Sequence, residues 1–255
     1  VLAHGFGANL AIFAVAYAVL LRPLPVADQQ SLVIMWERAD ARKVPVWEVS
    51  YPNFRDWQSQ NTSFSGLAAT GSITWSLRLT LSDGPAILPF AAVSGSFFEV
   101  LGVSPALGRT FTNADDARAA SHVAVISDAT WRKHFASDPH VVGRSAMMDD
   151  GAGLSAFTIV GVMPPEFDYP GGAAVWLPLA RTLGRLSVGA GYDMVEARDL
   201  GILYVLGRLK PSTHLSQARA DMALIVDRLT GTGAPGRGRS IVVTPLRDHL
   251  LGQAR

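Results

Sequence analysis

The residues able to do chemistry are scattered along the chain. The six histidines are His4, His122, His134, His140, His214 and His249. No two stand at the i, i+4 spacing of a helical metal site, and no clustered carboxylates accompany them. They read as solvated or capping histidines. Asp115-Asp116 and Asp149-Asp150 fall in turn-like contexts, where Asp is favoured because it bonds its own backbone. A pocket uniting Asp115, His122 or Asp149 with perturbed pKa values would mark an anchored hydrolase. No G-x-S-x-G elbow and no Walker A sequence occurs, so ATP hydrolysis by this chain is not expected. Gly231-Thr-Gly233-Ala-Pro-Gly236 fits G-x-G-x-x-G in form only, because it follows a helical pattern, contains Pro235 and opens no helix. Cysteine is absent, which excludes disulfides, zinc-thiolate sites and cysteine nucleophiles. Asn61-Thr62-Ser63 is a formal glycosylation sequon, of a kind frequent by chance. The six tryptophans could form a carbohydrate platform, but most lie on apolar faces of elements and read as core. The sequence is thus expected to carry no catalytic, cofactor-binding or metal-ligating residue.

The element before all of these is Val1 to Leu21, which contains no Asp, Glu, Lys or Arg. A helix of that length reaches roughly 30 Å, the thickness of a bilayer core. Arg22-Pro23-Leu24-Pro25 then stops it. The leading reading is a partial membrane helix over 1–24. A signal peptide and a buried core helix are the alternatives, the first opposed by the missing basic n-region. The remaining 230 or so residues suffice for one large domain or two small ones. With 22 basic and 21 acidic residues the net charge is +1, and no basic block with interleaved aromatics points to nucleic acid.

The later elements follow from periodicity. Leu32 to Trp36 reads as a strand. Ser50 is an N-cap with Pro52 in the first turn, opening a helix that carries Tyr51, Phe54 and Trp57 and is extended through Phe64 and Leu67. Trp75, Leu77, Leu79 and Leu81 alternate with polar residues, and Ser82 to Pro85 turns the chain into Ile87–Val93, a β-hairpin. A short helix buries Phe97, Phe98 and Leu101 and stops at Gly102. The connector Gly102 to Gly108 is expected to act as a lever between two subdomains. Then come a strand at His122–Ser127, a helix at Asp128–Phe135, a turn at Asp149–Gly151, and strands at Phe157–Val162 and Trp176–Leu177. Arg181 to Asp199, rich in Gly and polar residues, reads as a long loop. A strand at Leu203–Leu209, a helix at about Leu215–Leu229, a Gly-rich loop and a strand at Ile241–Pro245 complete the chain, with His249–Arg255 as a linker. The expected fold class is α+β: a split βαβ sandwich interrupted by a middle block near 106–200.

Several stretches together resemble one family. Gly7-Ala-Asn-Leu-Ala-Ile-Phe13 and Val19-Leu-Leu-Arg-Pro-Leu-Pro25 are similar to the first membrane helix of MacB-type ABC transporter permeases, of the FtsX-like permease family and its acidobacterial-type branch. Ser50-Tyr-Pro-Asn-Phe-Arg-Asp-Trp57 and Asn61 to Leu67 resemble the first helix of their periplasmic core domain. The most specific stretch is Val93-Ser-Gly-Ser-Phe-Phe-Glu-Val-Leu-Gly-Val-Ser-Pro-Ala-Leu-Gly-Arg-Thr-Phe111. Val123–Ser127, Asp138–Arg144, Ile159–Phe167 and Gln217–Met222 follow in family order. The chain departs from the pattern in a longer hairpin at Asp149–Ala156, in His214 where a Thr cap is common, and near 181–199.

The resemblance implies a periplasmic core domain over 25–255. Its porter-like α/β part would span about 26–105 and 201–250, with an inserted β-rich, sabre-like part at about 106–200. It implies no enzymatic activity and no cofactor. It also implies residence in the bacterial inner membrane, with most of this chain on the periplasmic side. The expected partners are an ABC ATPase subunit or domain, a second permease copy, the lipid bilayer, and a periplasmic adaptor with an outer-membrane channel. A membrane-tethered binding or adaptor module without transport is the alternative.

Overall fold

Alternation of apolar and polar residues decides which side chains share a core, and three cores result. In the computed structural model the described residues are 26–39, 44–82, 84–231 and 239–253. The expected membrane helix at 1–24 lies outside them, as do residues 232–238 of the Gly-rich loop expected over 230–239, whose ends belong to the flanking helix and strand. Among the described residues no helix is long and apolar enough to cross a membrane.

The strands are β1 (Leu32–Ala39), β2 (Val44–Trp47), β3 (Phe64–Gly71), β4 (Trp75–Leu79), β5 (Ala86–Val93), β6 (Leu107–Gly108), β7 (Val123–Ile126), β8 (Ser145–Asp149), β9 (Leu154–Val162), β10 (Val175–Pro178), β11 (Leu203–Leu209) and β12 (Arg239–Pro245). The helices are α1 (Tyr51–Gln60), α2 (Phe97–Leu101), α3 (Asp128–Phe135), α4 (Leu179–Ala190), α5 (Leu215–Gly231) and α6 (Leu246–Gln253).

Strands β5, β3, β11, β1 and β12 lie side by side in that order, all antiparallel. Helices α1, α4 and α5 cover one face, over Val33, Met35, Leu67, Ala69 and Val205. Helices α2 and α6 cover the other, over Leu32, Ile34, Ala68 and Leu206. The remaining strands close on themselves. β5 pairs with β4, β4 with β8, β8 with β9, β9 with β7, β7 with β10, and β10 returns to β5. The result is a six-stranded barrel filled by alternate residues, among them Leu77, Leu79, Phe90, Ile126, Met148, Phe157, Ile159 and Leu177. β5 belongs to both sheet and barrel, so hydrogen bonding runs unbroken across residue 105. The hairpin at 75–93 completes the barrel.

The seam between sheet and barrel is aromatic. Phe98, fully buried, lies 5.3 to 6.0 Å from the rings of Phe97, Phe111, Phe167 and Trp176. Such pairs add about 0.5–1.5 kcal/mol each beyond the area they bury.

The N-cap of α1 is as the sequence implies: Ser50 Oγ accepts from the Asn53 amide, with Pro at the second helical position. The α2 stop at Gly102 also holds, with φ +66°. Three expectations fail. The first helix does not continue through Phe64 and Leu67. Asn61 turns extended and its side-chain amide donates to the Trp57 and Gln58 carbonyls, closing α1. Asp221 Oδ2, on α5, then accepts the Thr62 and Ser63 amides and turns the chain into β3. That strand, Phe-Ser-Gly-Leu-Ala-Ala-Thr-Gly, is small-residued because helices crowd both its faces. A Cβ on Gly66 would lie only 3.0 Å from Val100 Cγ2.

Arg181 to Asp199 is not a long loop, since α4 occupies its first half. Leu179 and Leu183, one turn apart, are fully buried, and Thr182 Oγ1 donates back to the Pro178 carbonyl. Residues 249–253 are not linker. They belong to α6, which buries Leu246 and lays His249 against the Trp36 ring at 5.1 Å.

Candidate functional site

The segment from Arg109 to His122 joins β6 to β7 and crosses the molecule between α1 and α4. Asp115 fixes its shape. Its two oxygens take the Arg109 guanidinium at 2.8 and 2.9 Å, and Oδ2 also accepts the Thr112 amide and hydroxyl. Burial alone would raise this carboxyl, but the Arg109 and Thr112 hydrogen bonds outweigh it and hold the pKa below the usual value. The turn crosses so close to Gly95 that any Cβ there would collide with the Thr112 backbone.

Asp116 points the other way. Oδ1 accepts the Ala180 amide at 2.6 Å, at the start of α4, and Oδ2 accepts the Gly95 amide at 3.2 Å. Burial dominates these two bonds and the nearby Arg55 charge, and pushes the carboxyl up to about 7. It lines a cleft of about 350 Å³ with Tyr51, Arg55, Arg118, Glu196 and Arg198. Tyr51 receives a long hydrogen bond from Arg55 Nη1, 3.4 Å, and burial raises its phenol pKa. Arg198 closes one wall by donating to Asn53 Oδ1 and Asp56 Oδ2, while Asn53 donates to the buried Glu37.

At its far end the segment delivers His122 to α4. Arg181 Nη2 and Arg185 Nη1 lie 2.7 and 2.9 Å from His122 Nε2. A guanidinium only donates, so Nε2 is the acceptor and the ring is the neutral Nδ1–H tautomer. Burial, then the Arg181 and Arg185 charges, lower its pKa against the opposing pull of Asp150. Arg185 also forks onto Asp150, whose side chain is fully buried, at 3.1 Å to each oxygen. Burial and then Arg185 depress the pKa of Arg181, whose Nε is buried without a hydrogen-bond partner.

The hydrolase constellation does not assemble. Asp115 is consumed by Arg109, and Asp149 sits 3.7 Å from Arg78 and accepts the Gly151 amide. His122 has its one free lone pair engaged by two cations and has no role as a general base. His4 lies outside the described residues. The His140 amide donates to Asp138, and the His214 amide to Gln217 Oε1 in a helix-capping turn. His249 packs at a tilt near Trp36 and Tyr204, where burial lowers its pKa. No metal-holding group of three His, Cys, Asp or Glu exists among the described residues. The sequon is structural, since Asn61 caps α1. Trp57 and Trp176 are fully buried, and among the described side chains no tryptophan lines the Asp116 cleft. Sequence reasoning missed Arg181 and Arg185. Their i, i+4 spacing was visible but fell in the stretch read as loop.

A profile of the MacB-like periplasmic core domain matches residues 1–225. The chain belongs to that family. The periplasmic region of MacB from Actinobacillus actinomycetemcomitans shares the fold at TM-score 0.61 and 12% identity, over 92% of this chain and 97% of that one. The extracellular domain of the noncanonic ABC-type transporter YknZ from Gram-positive bacteria does so at TM-score 0.55 and 11% identity, over 83% and 99%. A search of curated proteins returns no match. These two neighbours are thus a periplasmic region and an extracellular domain of their own proteins.

Proposed function

We propose that this chain is the extracytoplasmic core of an ABC transporter permease that converts ATP-driven motion of a partner ATPase into handling of substrate outside the membrane. The reading places it on the periplasmic side of a bacterial inner membrane, paired with a second permease copy. The porter-like part is taken as 26–105 with 201–250 and the sabre-like part as 106–200, the first lending the hairpin β4–β5 to the barrel and the second lending α4 to the sheet. The observation that carries the reading, beside family membership, is that both ends of the domain meet. The turn at Gln29–Ser31 packs against α6, and Val26 and Leu250 rest on one core. A domain inserted between two membrane helices would have its ends together in this way.

The test exploits the absence of cysteine from residues 1–255. Leu224, 64% exposed on α5, is changed to Cys in the full chain. A membrane-impermeant maleimide should label it in intact spheroplasts, and an ATPase should copurify. Labelling only after lysis would remove the extracytoplasmic assignment.

A further inference from the structure

Arg208 lies on β11 between Gly66 of β3 and Leu32 of β1. Its guanidinium reaches out of the sheet to two other elements. Nε donates to the Val100 carbonyl at 2.8 Å, in the last turn of α2. Nη1 donates to Ser31 Oγ at 2.8 Å and to the Asp28 carbonyl at 3.2 Å, and Nη2 to the Ala27 carbonyl at 2.8 Å. The receiving turn is shaped for this. Asp28 is left-handed at φ 43°, and its carbonyl also takes the Ser31 amide and hydroxyl. Gly102 makes the room, because a Cβ there would stand 2.8 Å from Ala27 Cβ and 3.3 Å from Arg208 Nη2. A planar fork of donors meets these acceptors in one geometry, which the single ammonium of lysine cannot reproduce.

We propose that Arg208 is the positioning residue that moors the turn at 27–31 to the body of the domain. Residues 27–31 directly follow the apolar stretch and its Pro25. A displacement arriving through that segment is therefore passed to the middle of the sheet and to α2 together. α2 carries the Phe97 and Phe98 rings of the aromatic seam, so the same clamp reaches the barrel. The direction of the force rests on the function proposed above, whereas the mooring itself does not.

The experiment is hydrogen–deuterium exchange on the full chain in detergent, comparing wild type, Arg208→Ala and Arg208→Lys. The reporters are the amides of Ser31, Gly102 and Val103, which bond the Asp28, Glu99 and Phe98 carbonyls. Both variants should exchange there about tenfold faster, with β11 amides unchanged. Lysine matching wild type would overturn the fork geometry, and loss of protection throughout the sheet would make Arg208 a general stability residue and overturn the mooring. A second arm adds the ATPase with ATP and vanadate. Wild type should change exchange at both 28–31 and 98–103, and Arg208→Ala at 28–31 alone. A change reaching 98–103 undiminished in Arg208→Ala would overturn the coupling role. A wild type with no nucleotide response at 28–31 would overturn the ATP-coupled function, while the first arm still decides the mooring.

Discussion

Asp116 makes the stability of this domain depend on pH in an unusual direction. Its carboxyl rises from 3.8 to about 7 on folding, chiefly through burial. The folded state therefore binds the proton more tightly than the unfolded chain, and stability falls as pH climbs from about 4 to 7. At ~1.36 kcal/mol per pKa unit, the ionised form costs up to ~4 kcal/mol above that window. Asp116→Asn removes the charge. Its Oδ1 still accepts the Ala180 amide, but Nδ2 cannot accept the Gly95 amide, which costs ~1–3 kcal/mol. The variant should be more stable than wild type by ~1–3 kcal/mol at pH 8 and level with it or weaker at pH 5. Urea denaturation followed by tryptophan fluorescence at the two pH values measures this. Parallel pH profiles for the two proteins would refute a buried carboxyl that titrates near neutrality.

Three further outcomes are expected. Phe98→Ala empties the centre of the aromatic seam and should cost ~3–5 kcal/mol in the same assay. His122→Gln keeps an acceptor for Arg181 and Arg185 but cannot be protonated. Because folding lowers the His122 pKa below 6.5, wild type loses stability as pH falls through and below that value, and the variant should lose less. Leu183→Ala, in a stretch that reads as loop, should cost ~2–4 kcal/mol because the side chain is fully buried, and a loss under 0.5 kcal/mol would contradict the helix.

The sequence made legible whatever depended on local chemistry. The Ser50 cap, the hairpin around Ser82–Pro85 and the left-handed stop at Gly102 each follow from neighbouring residues alone. What escaped it was set by distant partners. β3 is a strand because Asp221, about 160 residues away, turns its entry and because α1 and α2 enclose it, so its Ser, Gly and Ala carry no strand signal. α4 hides behind Gly184 and Gly189, and its burial depends on docking beside β10 and β5. The Asp116 cleft is likewise a product of assembly, since Tyr51, Asp116 and Ala180 are far apart in sequence. The barrel was invisible for the same reason. Five of its six strands could be read, β8 (Ser145–Asp149) being the one missed, but closure requires β10 to pair with both β5 and β7.

The placement of β1 has a consequence for how the chain is made. Among the described strands β1 is the first to emerge, and it sits between β11 and β12, the last two of them. Until residues 203–245 arrive it has only β2 beside one end of it, and its apolar Leu32–Met35 run stays uncovered. The strands between 75 and 178 need no such wait, because the barrel draws all its members from that interval. Synthesis therefore yields a closed barrel first and an unfinished sheet beside it. Completion of the sheet is a non-local, slow event, and the waiting strand keeps its apolar face exposed until then.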